Sequence, residues 1–386
     1  MEKMIARQNR VWKLIHPVAA GVVTLLLATS ATAQVVIGQV LPLSGVLENT
    51  GKQMALGVKL YIDHVNSQGG INGQKLKHVV IDDAYKLEET VAQTKALIER
   101  DRPVALIGYA GTANIGELLK QKVLENANMP LVAPYTGGEP LRNPFNPWIF
   151  HIRAGYADET AHMVDHLATL GIKRVAVFYQ DDAFGRSGLA GVETAAAKYG
   201  TQIVAKGTYD RLTGNMGDAV QQIAKAQPNA VITVATSKPL GNFIKGYRDV
   251  GGAGMLMSIS VVDPGDVAKI AGMSNVRGLA ITQPVPYPYS GVSLLVKEFN
   301  EVFKKHAPEG TAITYAVFEE YIGAKVLVEG IKRAGKNPTS EKVLQSLASV
   351  GRLELGGFSV NFSSNNRIGS RYVDIVVVGA EGKLLK

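Results

Sequence analysis

The run from Val35 to Asp83, VVIGQVLPLSGVLENTGKQMALGVKLYIDHVNSQGGINGQKLKHVVIDD, decides the fold. It opens with a β-branched run, Val35 to Val40, and continues into a long amphipathic segment, Gly51 to Gln68. A glycine-rich turn, Gly69-Gly70-Ile71-Asn72-Gly73, then precedes a second β-branched run, Lys77 to Ile81. Strand, helix and strand at this spacing make a βαβ unit whose two strands lie parallel.

The same alternation continues outward. Short apolar runs at Val104 to Ile107, Pro130 to Ala133, Val175 to Tyr179, Gln202 to Ala205, Ala230 to Val234, Met255 to Ile259 and Gly278 to Ile281 are separated by helical patterns. Those patterns fall at Leu87 to Arg100, Asp158 to Leu170, Leu189 to Tyr199, Met216 to Ala226 and Pro239 to Asp249. An α/β protein with parallel central sheets is expected. The pattern restarts after His151-Ile152-Arg153. Pro284 to Tyr289 interrupts it again, because three prolines fix φ and remove three N–H donors. That piece is expected to be an extended strand crossing between domains. Helices at Ala312 to Ala334 and Ser340 to Ser349, and strands at Phe358 to Phe362 and Tyr372 to Val378, complete the chain. The expected organisation is a first lobe of residues 34–153 plus 284–368 and a second of 154–283 plus 369–386. Three crossings between them suit a hinge.

Lys3, Arg7, Arg10 and Lys13 precede an apolar run from Val18 to Ala28 and the small-residue site Ala31-Thr32-Ala33, the pattern of a secretory signal peptide cleaved after Ala33. The apolar run is well short of the ~20 residues that span a bilayer. Roughly 350 residues remain, enough for two domains of about 100 to 200 each. The formal net charge of +8 is spread along the chain with no basic block, which argues against a nucleic-acid partner. With no cysteine the chain has neither a disulfide framework nor a thiolate metal site, and no lipid-modified N-terminal cysteine. A freely diffusing exported protein needs an outer wall to keep it near the cell, which points to the periplasm of a two-membrane bacterium.

Gly108 to Gly116, GYAGTANIG, spaces its glycines unlike a dinucleotide fingerprint and lacks the Gly-Lys-Ser/Thr ending of a phosphate-binding loop. Its Thr112 stands where a helix starts, so hydroxyl and backbone N–H suit a carboxylate at the positive helix end; capping its own helix is the equal alternative. The loop Pro134 to Arg142, PYTGGEPLR, adds the Tyr135 ring, the Thr136 hydroxyl and the Gly137-Gly138 backbone. Both loops follow strands, at the sheet edge where ligands bind in parallel folds.

In the second half, QDDAFGRSG places Asp181, Asp182 and Phe184 after a strand. The paired aspartates are read as turn and cap residues rather than an acid–base pair. Gly185-Arg186-Ser187-Gly188 does not match the G-x-S-x-G nucleophile pattern. His162 and His166, with His151 nearby, are read as a surface stripe rather than metal ligands. No catalytic residue, metal or cofactor is expected.

These segments resemble the type I periplasmic substrate-binding proteins of ABC importers, in the branched-chain amino acid (leucine/isoleucine/valine) binding family. The likeness covers essentially the whole mature chain, carried by Val35 to Asp83, LIGYAGTANIG, PLVAPYTGG, RVAVFYQDDAFGRSG and the ending GGFSVNFSSNNRIGSRYVDIVVV. It implies two Rossmann-like lobes joined by three strands and closing on a ligand. The hydroxyl that holds the ligand's α-carboxylate falls on Thr112. The second loop's threonine falls on Gly137, or on Thr136 with a one-residue shift, and the covering aromatic of the second lobe on Phe184. The acid that pairs with a ligand ammonium aligns with Ser260, with Asp263 as a substitute three residues on, and the aromatic after PLSG aligns with Thr50. Ser44, Tyr109, Ala110, Tyr135 and Tyr287 complete the expected ligand-binding set.

The expected protein is a monomeric periplasmic receptor. It would capture a small carboxylate-bearing or polar solute, an amino acid or related acid or amide, and deliver it to an inner-membrane ABC permease. A periplasmic sensor on the same fold, and less readily a secreted hydrolase, are the alternatives.

Overall fold

A computed structural model describes residues 34–386, so the leader expected over residues 1–33 lies outside the described part. Two sheets organise the chain. The first is wholly parallel, in the order Leu76–Asp82, Val35–Leu41, Ala105–Ile107, Leu131–Val132, Ile149–Phe150. The second has the order Leu384–Leu385, Asp374–Val378, Ala280–Gln283, Met255–Ser258, Ala230–Val234, Arg174–Gln180, Gln202–Tyr209. Its pairings are parallel except those made by Asp374–Val378, which runs antiparallel to both neighbours. Strands such as Ala105–Ile107 and Ala230–Val234 are buried at every position, as sheets covered on both faces require.

The opening unit folds as its sequence reads: strand Val35–Leu41, helix Glu48–Ser67, strand Leu76–Asp82, paired in register from Val35 opposite Leu76 to Leu41 opposite Asp82. Helix Glu48–Ser67 packs along helix Tyr315–Arg333, which returns late in the chain to the first sheet. The Thr314 hydroxyl caps that helix by accepting from the Val317 N–H at 3.2 Å. Helix Leu294–His306 also docks here, burying Leu295, Val296, Phe299 and Val302 on one face.

The chain passes between the sheets after Phe150, after Gln283 and again before Asp374. The first and third passages touch, since His151 N–H donates to Arg367 C=O at 2.8 Å and Gly369 N–H to His151 C=O at 2.7 Å. Pro284 to Tyr289 is not the strand expected. The strand ends at Gln283, and the proline segment continues as turn with Val285 buried. With every second N–H donor removed by a proline, it cannot sustain a ladder. It is anchored by side chains instead, with Tyr287 OH donating to Leu384 C=O at 2.6 Å and Tyr289 OH to Ile313 C=O at 2.9 Å.

Candidate functional site

The carboxyl ends of the first sheet build one wall. Ala105–Ile107 runs through Gly108 to Gly111 into helix Thr112–Lys120, and Leu131–Val132 runs into the Tyr135 loop. Ala110 and Tyr135 form a parallel bridge, and Tyr135 N–H donates to Tyr109 C=O at 2.8 Å, so the two loops lie side by side. Gly108 has φ +60°, and a Cβ there would sit 2.3 Å from Glu320 Oε2 and 2.4 Å from Gln39 Nε2, so the loop needs glycine at that point.

The turn after Leu76–Asp82 supplies a third piece. Ala84 and Tyr85 both have positive φ, 49° and 62°, a strained conformation for residues with a Cβ. Asp82 Oδ1 accepts from Ala84 N–H at 2.8 Å and Asp83 Oδ1 from Tyr85 N–H at 2.9 Å, which offsets the strain and projects the Tyr85 ring from the sheet edge.

The second sheet contributes the facing wall. Asp182 caps helix Ala183–Tyr199, accepting from Phe184 N–H at 2.9 Å and Gly185 N–H at 3.3 Å, and so fixes the Phe184 ring against Tyr156 at 5.3 Å, edge to face. Thr236 and Val261 flank these rings.

Among the cavities between the walls, two meet at Tyr135. The inner one is lined by Leu47, Thr50, Tyr85, Ala110, Gly111, Tyr135, Tyr156, Phe184, Thr236 and Val261 and measures about 20 Å³, room for about one water. The outer one, about 730 Å³, shares Thr50, Tyr135 and Val261 with it and extends past Asp263, Tyr287, Tyr289 and Tyr315. Polar contacts draw the walls together over both. Arg211 Nη2 donates at 2.8 Å to Tyr85 C=O and at 2.8 Å to Asn114 Oδ1, while its guanidinium carbon lies 4.2 Å from the centre of the Tyr85 ring. Arg211 Nη1 also stands 3.6 Å from Asp182 Oδ2. Elsewhere Gln180 Nε2 donates to Tyr85 OH at 3.3 Å, Gln53 Nε2 to Asp263 Oδ2 at 3.1 Å, Glu139 N–H to Ser187 Oγ at 2.9 Å, and Asn49 Nδ2 to Asp266 Oδ2.

A buried ionic cluster sits behind Tyr135, where the chain first passes between the sheets. Arg153 is fully buried, with Nη2 3.4 Å from Glu159 Oε1, Nε 3.6 Å from Glu319 Oε1, and its guanidinium carbon 5.0 Å from the Tyr135 ring centre. Glu159 Oε2 accepts from Ser260 N–H at 2.9 Å and Thr282 Oγ at 2.6 Å, and Glu159 Oε1 from Ser260 Oγ at 2.9 Å. Burial alone lowers the Arg153 pKa; Glu319 and Glu159 outweigh it and raise the value, so the guanidinium stays charged. Burial pushes the Glu319 carboxyl up to about 7 against the pull of Arg153, and pushes Glu320 well above the ordinary carboxyl value with Glu319 adding to it. Both Glu320 oxygens lack a protein hydrogen-bond partner, so a charge there would be buried without compensation.

This sets the sign of one pH dependence. Folded Glu319 keeps its proton up to about 7 whereas the unfolded group releases it near 4.5, so this residue's contribution to stability falls as pH rises between those values. Relative to the wild-type chain, Glu319→Gln should therefore gain stability from pH 5 to pH 8, on the order of 3 kcal/mol. Urea melts of both proteins across that range check it; a constant difference would contradict the assignment.

The structure gathers part of the expected site. Thr50, Ala110, Tyr135 and Phe184 line the inner cavity, and Asp263 and Tyr287 line the outer one. Thr112 and Thr136 lie behind the first wall with their hydroxyls 2.6 Å apart, bracing its two loops, and Gly138 N–H donates to Thr136 Oγ at 3.1 Å. Gly137 does not present open backbone: a Cβ there would meet Tyr156 at 2.6 Å, so the glycine makes room for that ring. Tyr109 belongs to the core and not to the lining, buried with its OH accepting from Thr94 Oγ at 3.1 Å. Ser44 Oγ donates to Asp82 Oδ2 at 2.6 Å and closes the PLSG turn. Ser260 serves Glu159. His162 and His166 are exposed, whereas His151 is buried with Nε2 3.2 Å from Leu141 C=O.

Five residues of this region went unread in the sequence: Tyr85, Arg153, Tyr156, Glu159 and Arg211. Glu159 carried a usable signal. It shares the buried face of helix Tyr156–Thr169 with Tyr156, Met163 and Leu167, and an acid on an apolar stripe needs a buried partner. Arg211 sits in an irregular loop whose reach no periodicity reveals.

Relatives share this architecture. The chain is similar to "Leu/Ile/Val-binding protein homolog 7" of Brucella suis, 24% identical over 385 residues and covering 91% of each chain. Among solved structures it is similar to a substrate-binding periplasmic protein from Ralstonia solanacearum, 36% identical, TM-score 0.87, covering 91% of this chain and 99% of that one. It is also similar to an extracellular ligand-binding receptor from Verminephrobacter eiseniae, 30% identical, TM-score 0.83, covering 92% and 100%. The periplasmic binding protein family matches residues 34–383, and with two sheets facing across a cleft at their strand ends the chain belongs to that family.

Proposed function

We propose that the chain is the solute receptor of an ABC importer, working as a periplasmic monomer after its leader is removed and handing its solute to an inner-membrane permease. Residues 34–153 plus 284–368 act as one lobe and 154–283 plus 369–386 as the other. The solute is a small acid or polar molecule, an amino acid or a related acid or amide. Its negative end lies against Ala110 and Gly111 at the positive start of helix Thr112–Lys120, while Phe184 and Tyr156 cover it. No bond is made or broken.

One observation carries this reading: the inner cavity is walled by both halves and shut by contacts that bridge them, Arg211 on Tyr85 and Asn114 above all. A ligand touching both walls favours the closed form over the open one, and only such differential contact drives closure. The names of relatives agree, one being called a leucine/isoleucine/valine-binding homologue and another a substrate-binding periplasmic protein.

Thermal melts against a panel of amino acids, aromatic acids and small amides test it. A true solute at a hundred times its Kd adds about 2.7 kcal/mol to stability. No stabilisation by any panel member, or turnover of esters and amides offered in parallel, would contradict the receptor reading, and turnover would favour the hydrolase.

A further inference from the structure

We propose that the inner cavity selects a carboxylic acid that carries an aromatic ring and no charged amino group. The inference rests on the receptor reading and narrows its solute. Its ground is the chemistry of the lining: the rings of Tyr85, Tyr135, Tyr156 and Phe184 dominate it, and no charged side chain lines it.

An ammonium group brought between these rings finds no carboxylate in their lining, and Asp263 of the outer cavity already accepts from Gln53 Nε2 and Asp266 N–H. Glu159 lies behind Ser260, fully buried and already accepting from Ser260, Thr282 and Arg153. Asp182 accepts from Phe184 N–H, Gly185 N–H and Gln180 Nε2 and faces Arg211. Asp83 accepts from Tyr85 N–H and, at 2.6 Å, from Thr90 Oγ. The ring faces offer no better refuge, because Tyr85 and Tyr135 each already stack on a guanidinium, that of Arg211 and that of Arg153. A second cation would meet a ring polarised toward the first. Stripping water from an ammonium without a charge-assisted partner costs roughly tenfold to hundredfold in affinity.

The shape of the cavity argues for a ring. At about 20 Å³ the walls nearly touch, and a flat solute needs the smallest parting of aromatic walls while stacking on them or meeting their edges. A tetrahedral branched chain forces them further apart and loses the ring contacts. The acid group is then left to the uncharged wall at Ala110 and Gly111.

Titration calorimetry of the full mature chain with two matched pairs decides the matter: 3-phenylpropanoate against phenylalanine, and 4-methylpentanoate against leucine. The expected result is that each acid binds at least tenfold tighter than its amino acid, and 3-phenylpropanoate tighter than 4-methylpentanoate. Tighter binding of either amino acid overturns the inference and leaves the receptor reading standing. Equal or tighter binding of 4-methylpentanoate overturns the claim for a ring. Silence from all four compounds overturns the inference as a whole, and the broader thermal panel then decides separately whether the receptor reading survives.

Discussion

Replacing Arg153 with methionine should lower the unfolding free energy by about 3 to 5 kcal/mol, the cost of leaving a buried charge without its partner. Methionine keeps the apolar stem and removes the guanidinium, so a packing loss adds to the electrostatic one. It strands Glu159, which keeps its contacts with Ser260 and Thr282 but loses the one cation paired with it among the described residues. It also removes the guanidinium beneath Tyr135. Denaturant melts at pH 7.5 read the effect directly, and a change below about 1 kcal/mol would show that the cluster contributes little beyond packing. The double change Arg153→Met with Glu159→Gln should recover much of the loss, because it removes the stranded charge along with its partner.

Arg211 carries the second large effect, on binding rather than on folding. Its guanidinium belongs to the second half, and two of its hydrogen bonds and its aromatic contact lie in the first. If the two lobes part as proposed, those contacts form only in the shut cleft and the group is hydrated in the open form. Hydrogen bonds from a charged group are worth roughly 1.5 to 3 kcal/mol. Arg211→Ala should therefore raise the Kd of the solute at least tenfold while changing the melting temperature of the unliganded chain little. Small-angle scattering of the unliganded variant should show a more extended particle than the wild type. Unchanged affinity would mean that closure is driven from elsewhere, with Gln53 on Asp263 the next contact to remove.

How far the sequence reached follows from the range of each signal. The strand at Val35 and the helix after PLSG were legible because their periodicities are local. The helix begins three residues earlier than read, at Glu48, because the short turn Gly45–Leu47 runs straight into it without a side-chain cap. The helix Leu294–His306 is absent from the sequence reading although Leu295, Phe299 and Val302 keep helical spacing, because its stripe is short and follows directly on the proline interruption.

In the site, Gly137 and Thr136 are expected as ligand contacts and Thr112 equally as contact or helix cap, but their nearest demands are internal. Gly137 yields to Tyr156, and Thr112 meets Thr136. Such packing joins residues 19 to 24 positions apart, beyond any local pattern. Glu319 and Glu320 of YAVFEEYIGAKVLVEG also went unread: Lys325 and Glu329 share that helix, and only the fold shows that the first two are buried beside the cleft.

The central claim is that a solute is enclosed by both halves at once, between Tyr135 and Phe184. A crystal structure of the chain with the tightest-binding member of the acid panel tests it most directly. The account requires the solute to contact Ala110 or Tyr135 on one side and Phe184 or Tyr156 on the other, with Arg211 still on Tyr85. A solute held by one half alone, or lying outside the cleft, would contradict it.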